Sequence, residues 1–252
     1  MIISPFVSAL RTLTRFSVPG KDSKTQSGML FYFPLVGILL GFFSVLLSLL
    51  PLSPFLLASL IVALQAYLTR GFHLDGLCDM ADGFGGGWDK ERTLAIMKDS
   101  HVGSFAVIAL VCVLLVQVAS VASIVFLWPI LLFSPMVGRF MQVMACATCT
   151  YARKEGGTAQ LLVDQSKKWH ALAPAFQILL FLGVLAFLDS PSFYSAVGSL
   201  FLASLLFFCI RHLSVKRLGG ITGDVLGAIE VLCETAAYLG ASLPLAILSL
   251  VG

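Results

Sequence analysis

The chain has 252 residues, of which 58% are hydrophobic and 12% charged, with a net charge of +3. A soluble domain carries about twice that charged fraction, and too little polar surface is present to cover a water-exposed core. The composition therefore excludes a water-soluble fold, and the small net charge offers no basic domain for nucleic acid.

The N-terminal stretch MIISPFVSALRTLTRFSVPGKDSK lacks an apolar core followed by a small-residue cleavage site, so no cleavable signal peptide is expected. Seven apolar spans follow, at roughly 29–50, 54–69, 103–127, 129–147, 171–188, 192–210 and 225–250. The second is short and is read as running on into the sequence after it. The fourth is interrupted by Pro129, Pro135 and Arg139. The fold class expected is all-α: one integral membrane domain over 1–252, a polytopic bundle of about seven transmembrane helices.

The basic residues sort by loop. Arg11, Arg15, Lys21 and Lys24 precede the first span; Arg70, Lys90, Arg92 and Lys98 lie between the second and third. Arg153, Lys154, Lys167 and Lys168 link the fourth to the fifth, and Arg211, Lys216 and Arg217 link the sixth to the seventh. With seven spans, 15 of the 16 basic residues share one face, and the exception, Arg139, is inside a span. The positive-inside rule makes that face cytoplasmic, with the N-terminus inside and the C-terminus outside. The six cysteines lie mostly in spans or on this reducing side, which argues against disulfides.

Three polar clusters stand out, within segments 70–102 and 211–234 and expected on the cytoplasmic side. In the first, Asp75, Asp79 and Asp82 are spaced i, i+4 and i+7, within about 60° on a helix of 3.6 residues per turn. Carboxylates on one stripe repel unless a cation sits among them, and hard divalent ions such as Mg²⁺ take such oxygens together with substrate phosphates. Gly83 and Gly85–Gly87 are read as ending that helix. The second cluster is a short amphipathic helix with Leu94, Ile96 and Met97, then Lys98, Asp99, Ser100 and His101. The third runs from glycines into Thr222, Gly223 and Asp224, the pattern of a loop entering a helix N-cap that can present N–H groups to phosphate. Glu230 and Glu234 follow within the last span, where carboxylates are expensive and usually functional. Arg139 is their expected partner, or a clamp on phosphate. Carboxylates, nearby cations and a Gly-rich loop on one face together suggest phosphoryl transfer with a nucleotide or diphosphate leaving group.

The segments GFHLDGLCDMADGFGGG, ERTLAIMKDSHVGSF and LGGITGDVLGAIEVLCE closely resemble the cobalamin synthase (adenosylcobinamide-GDP ribazoletransferase) family. YARKEGG at 151–157 and the early LTRFSVPG are similar to it as well. Cys78 and Met80 stand where small or hydroxyl residues are expected, and His101 where Arg is common. The resemblance implies that the 5′-hydroxyl of α-ribazole, or of its 5′-phosphate, attacks the diphosphate of adenosylcobinamide-GDP. GMP leaves, and adenosylcobalamin or its 5′-phosphate forms, the last nucleotide-loop assembly step of cobalamin biosynthesis. Mg²⁺ is the implied cofactor, and a bacterial cytoplasmic (inner) membrane with the active site facing the cytoplasm is the implied location.

On this resemblance Asp75, Asp79 and Asp82 hold Mg²⁺, with Asp82 also catalytic. Asp99 is a further ligand or the general base, and Lys98, Arg139 and the backbone at Gly223 stabilise phosphate charge. His73, Ser100, His101, Thr222, Asp224, Glu230 and Glu234 are expected to contact substrate or complete the metal site. The partners are the two substrates and the lipid bilayer, with no nucleic acid; a homo-oligomer is compatible with the sequence. Two rival readings make different demands on the sequence. A cation transporter would string acids across the bilayer and show related halves. A CDP-alcohol phosphotransferase would carry Ala-Arg after its Asp-Gly, where Leu77-Cys78 stands here.

Overall fold

A computed structural model describes residues 3–251, with side chains from 4 to 244; residues 1, 2 and 252 of the expected 1–252 domain lie outside the described residues. The described residues form helices and no strand. In order they are α1 (Ile3–Leu13), a 3₁₀ turn at Ser27–Tyr32 running into α2 (Phe33–Ser48), α3 (Pro54–Leu68), α4 (Phe72–Gly86), α5 (Lys90–Ile96), α6 (Ser104–Ile124) and α7 (Trp128–Thr148). Then come α8 (Gln160–Asp164), a 3₁₀ turn at Lys168–Ala171 running into α9 (Leu172–Leu188), α10 (Ser190–Leu218) and α11 (Gly223–Val251).

Six of these helices are long and apolar enough to cross a membrane, and α3 with α4 makes a seventh candidate bent by 90°. The bend has a local cause: Arg70 and Gly71 both take left-handed backbone, with φ of 59° and 65°. Gly71 adopts this freely, whereas Arg70 does so at a cost. Arg70 is held there because its Nη2 donates to the carbonyls of Arg11 and Thr12, at 3.0 and 3.3 Å, at the end of α1. Both ends of α4 then meet the polar face. Its start follows the bend, and the carbonyl of Phe84 near its end accepts from Arg217 at the end of α10. So α3 crosses while α4 runs along the polar face, outside the spans.

The bundle has an inside and an outside. Of the apolar stretches in α7 and α11, 83% of residues are buried, against 22% in α6 and 17% in α9. The outer helices turn residues such as Phe176, Phe187 and Phe201 outward, as helices facing acyl chains do. Pro129 and Pro135 do not break α7: Pro129 sits in its first turn and Pro135 inside it. Pro135 deprives the Leu131 carbonyl of its helical donor. That carbonyl lies against Gly41 of α2, where a Cβ would come far too close, and Gly37 meets the Pro135 carbonyl in the same way. The two glycines one turn apart let α2 lie close on α7, a small-residue contact of the kind membrane helices use in place of hydrophobic segregation.

The four segments that carry the basic residues meet one another, as the seven-span pattern requires. Gln165 accepts from the Gln26 N–H at 2.9 Å. Lys98 pairs with Glu155 at 3.4 Å, and Arg153 with Asp224 at 2.7 Å. Backbone bonds of 2.9 Å join Ala152 to Ile221 and Ile221 to Thr150, fastening the loop after α7 to the loop before α11. At the opposite end the ionisable residue is Asp189, which caps α10 through Ser192.

Candidate active site

The site is built where α4 crosses the start of α11. Thr222 is the cap: its hydroxyl accepts from the Val225 N–H at 3.2 Å, and its carbonyl from the Leu226 N–H at 3.1 Å. The expected loop-to-cap geometry is therefore present, and it fixes Asp224 in the first turn. Helix α4 reaches this turn because Gly76 has no side chain: a Cβ there would stand 2.7 Å from the Asp224 carbonyl oxygen and 3.2 Å from Gly227. Asp75 and Asp79 flank Gly76 on the same helical face, Asp75 exposed and Asp79 half-buried.

Asp75, Asp79 and Asp224 thus form one acidic group, with a single cation inserted. Arg153 Nη2 donates to Asp224 Oδ2 at 2.7 Å, and Thr222 Oγ1 lies 3.3 Å from the same oxygen. Asp79 reports the local field. Burial, then the charges of Asp224 and Asp75, push its carboxyl up to about 7, while Arg153 pulls the other way. Repulsion among these oxygens is what a hard cation would relieve.

Asp82, expected as a metal ligand and catalytic residue, still adds its charge to Asp79 but turns both oxygens away from this group, toward the start of α6. Its two oxygens accept from the backbone N–H of Gly103 at 2.6 Å and of Ala106 at 2.9 Å, at the start of α6. It is 8% exposed and serves as the helix cap that Gly103 cannot supply. A Cβ on Gly103 would stand 2.5 Å from Asp82 Oδ1, so glycine and aspartate fit as a pair. Nor does Gly83 end α4. The helix continues to Gly86, and Gly83 and Gly85 instead make room for Met97 and Phe105.

Arg139, Glu230, Glu234 and His73 form a separate buried network, its two glutamates roughly two and three turns beyond Asp224 on α11. Arg139 Nη1 lies 2.5 Å from Glu230 Oε1 and also bonds Glu234. His73 Nδ1 sits 2.9 Å from Glu230 Oε2, and the Pro135 carbonyl accepts from Arg139 at 3.3 Å. All four side chains are at most 5% exposed, around a space of about 30 Å³ that suits a single water. Arg139 is therefore not placed as a phosphate clamp. His73, Glu230 and Glu234 are not placed to touch a substrate either; the four tie α4, α7 and α11 together.

Asp99, Ser100 and His101 lie exposed before α6 and are not brought to the acidic group. Asp99 Oδ1 accepts from the His101 N–H at 3.0 Å and lies 2.6 Å from its ring Nδ1. These hydrogen bonds hold the Asp99 carboxyl below the usual carboxylate range and raise the His101 imidazole. A carboxylate held low is a poor general base. Lys98 is better placed. With Lys90, Arg153 and Lys154, and against the carboxylates of Glu91 and Glu155, it lines a cleft of about 600 Å³ between α5 and the 152–156 loop, where cations outnumber acids. Lys90, Arg153 and Lys154 were not singled out from the sequence. The signal available was YARKEGG, whose Arg is the residue that reaches Asp224.

The cobalamin-5-phosphate synthase (CobS) family model matches residues 5–242. The chain belongs to this family. It is 42% identical over 246 residues to the adenosylcobinamide-GDP ribazoletransferase of Chlorobium phaeovibrioides (strain DSM 265 / 1930), covering 95% of this chain and 97% of that one. The Chlorobaculum tepidum enzyme of the same name is 39% identical over 250 residues, with 96% of each chain covered. That of Syntrophobacter fumaroxidans (strain DSM 10017 / MPOB) is 40% identical over 245 residues, with 92% of this chain and 95% of the relative covered. No solved structure matches.

Proposed function

We propose that this chain transfers the adenosylcobinamide-phosphate group of adenosylcobinamide-GDP to the 5′-hydroxyl of α-ribazole or α-ribazole 5′-phosphate, releasing GMP. Family membership over nearly the whole chain supports the reaction. The observation that carries its placement is the acidic group of Asp75, Asp79 and Asp224 with Arg153, next to the cationic cleft.

The new bond joins the acceptor 5′-oxygen to the phosphorus that carries cobinamide. The anhydride bond to GMP breaks, and the hydroxyl proton must be taken up. Lys90, Lys98, Arg153 and Lys154 line the cleft where a diphosphate docks. A carboxylate of the acidic group not engaged by a cation is the acceptor for that proton. Arg153 holds Asp224 and adds positive charge where the leaving phosphate develops negative charge.

Mg²⁺ is part of the proposal. Among the described residues no three His, Cys, Asp or Glu side chains converge as a ready metal cage. Mg²⁺ sites of this chemistry use one or two carboxylates and fill the rest with substrate phosphates and water. Asp75, Asp79 and Asp224 fit in kind: hard oxygens in excess of one guanidinium, one of them partly protonated for want of a counter-charge. When bound, the ion would neutralise the diphosphate and ease departure of GMP.

The charge pattern supports a bacterial inner membrane with this face in the cytoplasm, where nucleotide substrates are found. The test is GMP release by the purified protein in lipid nanodiscs given both substrates and Mg²⁺. GMP formed only when both substrates are present is expected; no release under those conditions refutes the assignment.

A further inference from the structure

A second cavity, of about 440 Å³, lies on the other side of the α11 N-terminus, between α1, the segment after it, the start of α4 and α8. Its inner wall is apolar: Leu13, Met29, Phe33, Leu162 and Leu226 are each at most 6% exposed. Its volume is that of a small-molecule site. Two features tie it to the acidic group. Phe72, at its edge, lies one turn before Asp75 on the same face of α4, and Gly223, in its lining, adjoins Asp224.

Part of the polar lining is spent within the protein, while Gln26 and Thr158 turn free side-chain groups to its mouth. Arg11 donates to the carbonyls of Val18 and Gly20 and to Asp22, and the Ser8 hydroxyl accepts from the Ser23 N–H. Gln142 is different. It is 4% exposed, and its Nε2 donates to the Leu226 carbonyl at 3.2 Å, yet its Oε1 has no partner. An amide oxygen on the lining residue of such a cavity, itself closed to the void and without a donor, is a costly arrangement that a ligand hydroxyl or N–H would relieve once the amide turns toward it.

We infer that this cavity binds the nucleoside acceptor, its apolar bicyclic base against Phe33, Met29 and Leu162 and a ribose hydroxyl donating to Gln142 Oε1. The inference rests on the proposed reaction and adds to it the site of one substrate. The volume takes a nucleoside and not a corrinoid, which is several times larger. A guanine edge, with several donors and acceptors, would leave most of them unpaired against this wall, whereas the base of ribazole has no N–H to satisfy. From here the 5′ end of the ribose can point past Gly223 to Asp75, Asp79 and Asp224, where the proton must be removed.

Two substitutions test it. Ala159→Phe adds a ring at the cavity wall from the N-terminal end of α8, and Gln142→Leu removes the orphan acceptor. Binding is read by equilibrium dialysis of α-ribazole against protein in nanodiscs, which needs no turnover, and KM values by GMP release. The expected result is a Kd for α-ribazole raised at least tenfold by Ala159→Phe and about three- to tenfold by Gln142→Leu. The KM for adenosylcobinamide-GDP should stay within about twofold. A Kd unchanged within twofold in both variants overturns the inference, as does a shift confined to adenosylcobinamide-GDP. So does a tightly held phospholipid in the cavity that α-ribazole does not displace. A wild-type protein that binds α-ribazole but releases no GMP would instead count against the reaction. If Ala159→Phe fails to fold, Gln142→Leu alone decides.

Discussion

Replacing Arg139 by Met separates a structural role for this residue from a catalytic one. The guanidinium is 1% exposed and bonded to Glu230, Glu234 and the Pro135 carbonyl. Methionine keeps much of the stem volume but leaves two carboxylates facing each other without their counter-charge. Breaking a buried pair from one side costs about 3–5 kcal/mol. At about 2–4 °C per kcal/mol for a chain of this size, Tm should fall by roughly 6–20 °C. The assay is thermal unfolding in nanodiscs, with GMP release measured well below the new Tm. Turnover there should remain within about tenfold of wild type, because Arg139 touches no substrate. The triple variant Arg139→Met, Glu230→Gln, Glu234→Gln should recover part of the lost stability, since it removes the orphaned charges too. A variant with unchanged Tm and activity lowered a thousandfold would show that Arg139 contacts phosphate after all, and would refute the closed-network argument.

The other predictions concern the acidic residues. Asp75→Asn and Asp79→Asn should each lower kcat at least a hundredfold, and the exposed Asp75 should do so with Tm unchanged, as checked by GMP release beside a melting curve. Asp82→Ala should cost about 0.5–2 kcal/mol as a lost cap on α6 and leave the Mg²⁺ concentration giving half-maximal rate unchanged; a large rise in that concentration would return Asp82 to the metal site. Asp79 also sets a pH dependence. Its folded carboxyl, near 7, lies above its ordinary value of 3.8, so between about pH 4 and 7 the folded state holds more protons than the unfolded one. Stability from this group is present below pH 4 and lost as pH rises to 7. A bound divalent cation should restore it, so Mg²⁺ is expected to raise Tm more at pH 8 than at pH 5.5. Equal shifts at both pH values would contradict a metal held by Asp79.

Part of the site was legible, and its acidic stripe shows where local spacing falls short. Asp75, Asp79 and Asp82 do share a stripe of α4, as their spacing requires. A helical wheel, however, gives the direction of a side chain and not its neighbour, and seven residues advance a helix by about 10 Å. Over that distance the helix packed against α4 changes from α11 at Gly76 to α6 at Asp82, so the third carboxylate meets a helix N-terminus instead of its two partners. Asp224 takes its place from a position 142 residues after Asp82 in the chain, which no local spacing can reveal. Arg153 was hidden for a similar reason. It was one of 15 basic residues on its face, and only the backbone pairing of residues 150–152 with 221 aims it at Asp224.

Hydropathy, the loop pattern of lysines and arginines, and the motifs by themselves determined that the chain is a multi-pass helical membrane protein, where its spans fall, and which family it resembles. These are properties of segments, set by transfer of side chains between water and lipid, and each segment carries them alone. Which carboxylates face one another, which are used as caps or buried ion pairs, and where a cavity opens beside them were decided only by the tertiary structure. Those are properties of pairs of elements, fixed by the 90° turn at Arg70–Gly71 and the close crossing at Gly76 and Gly227.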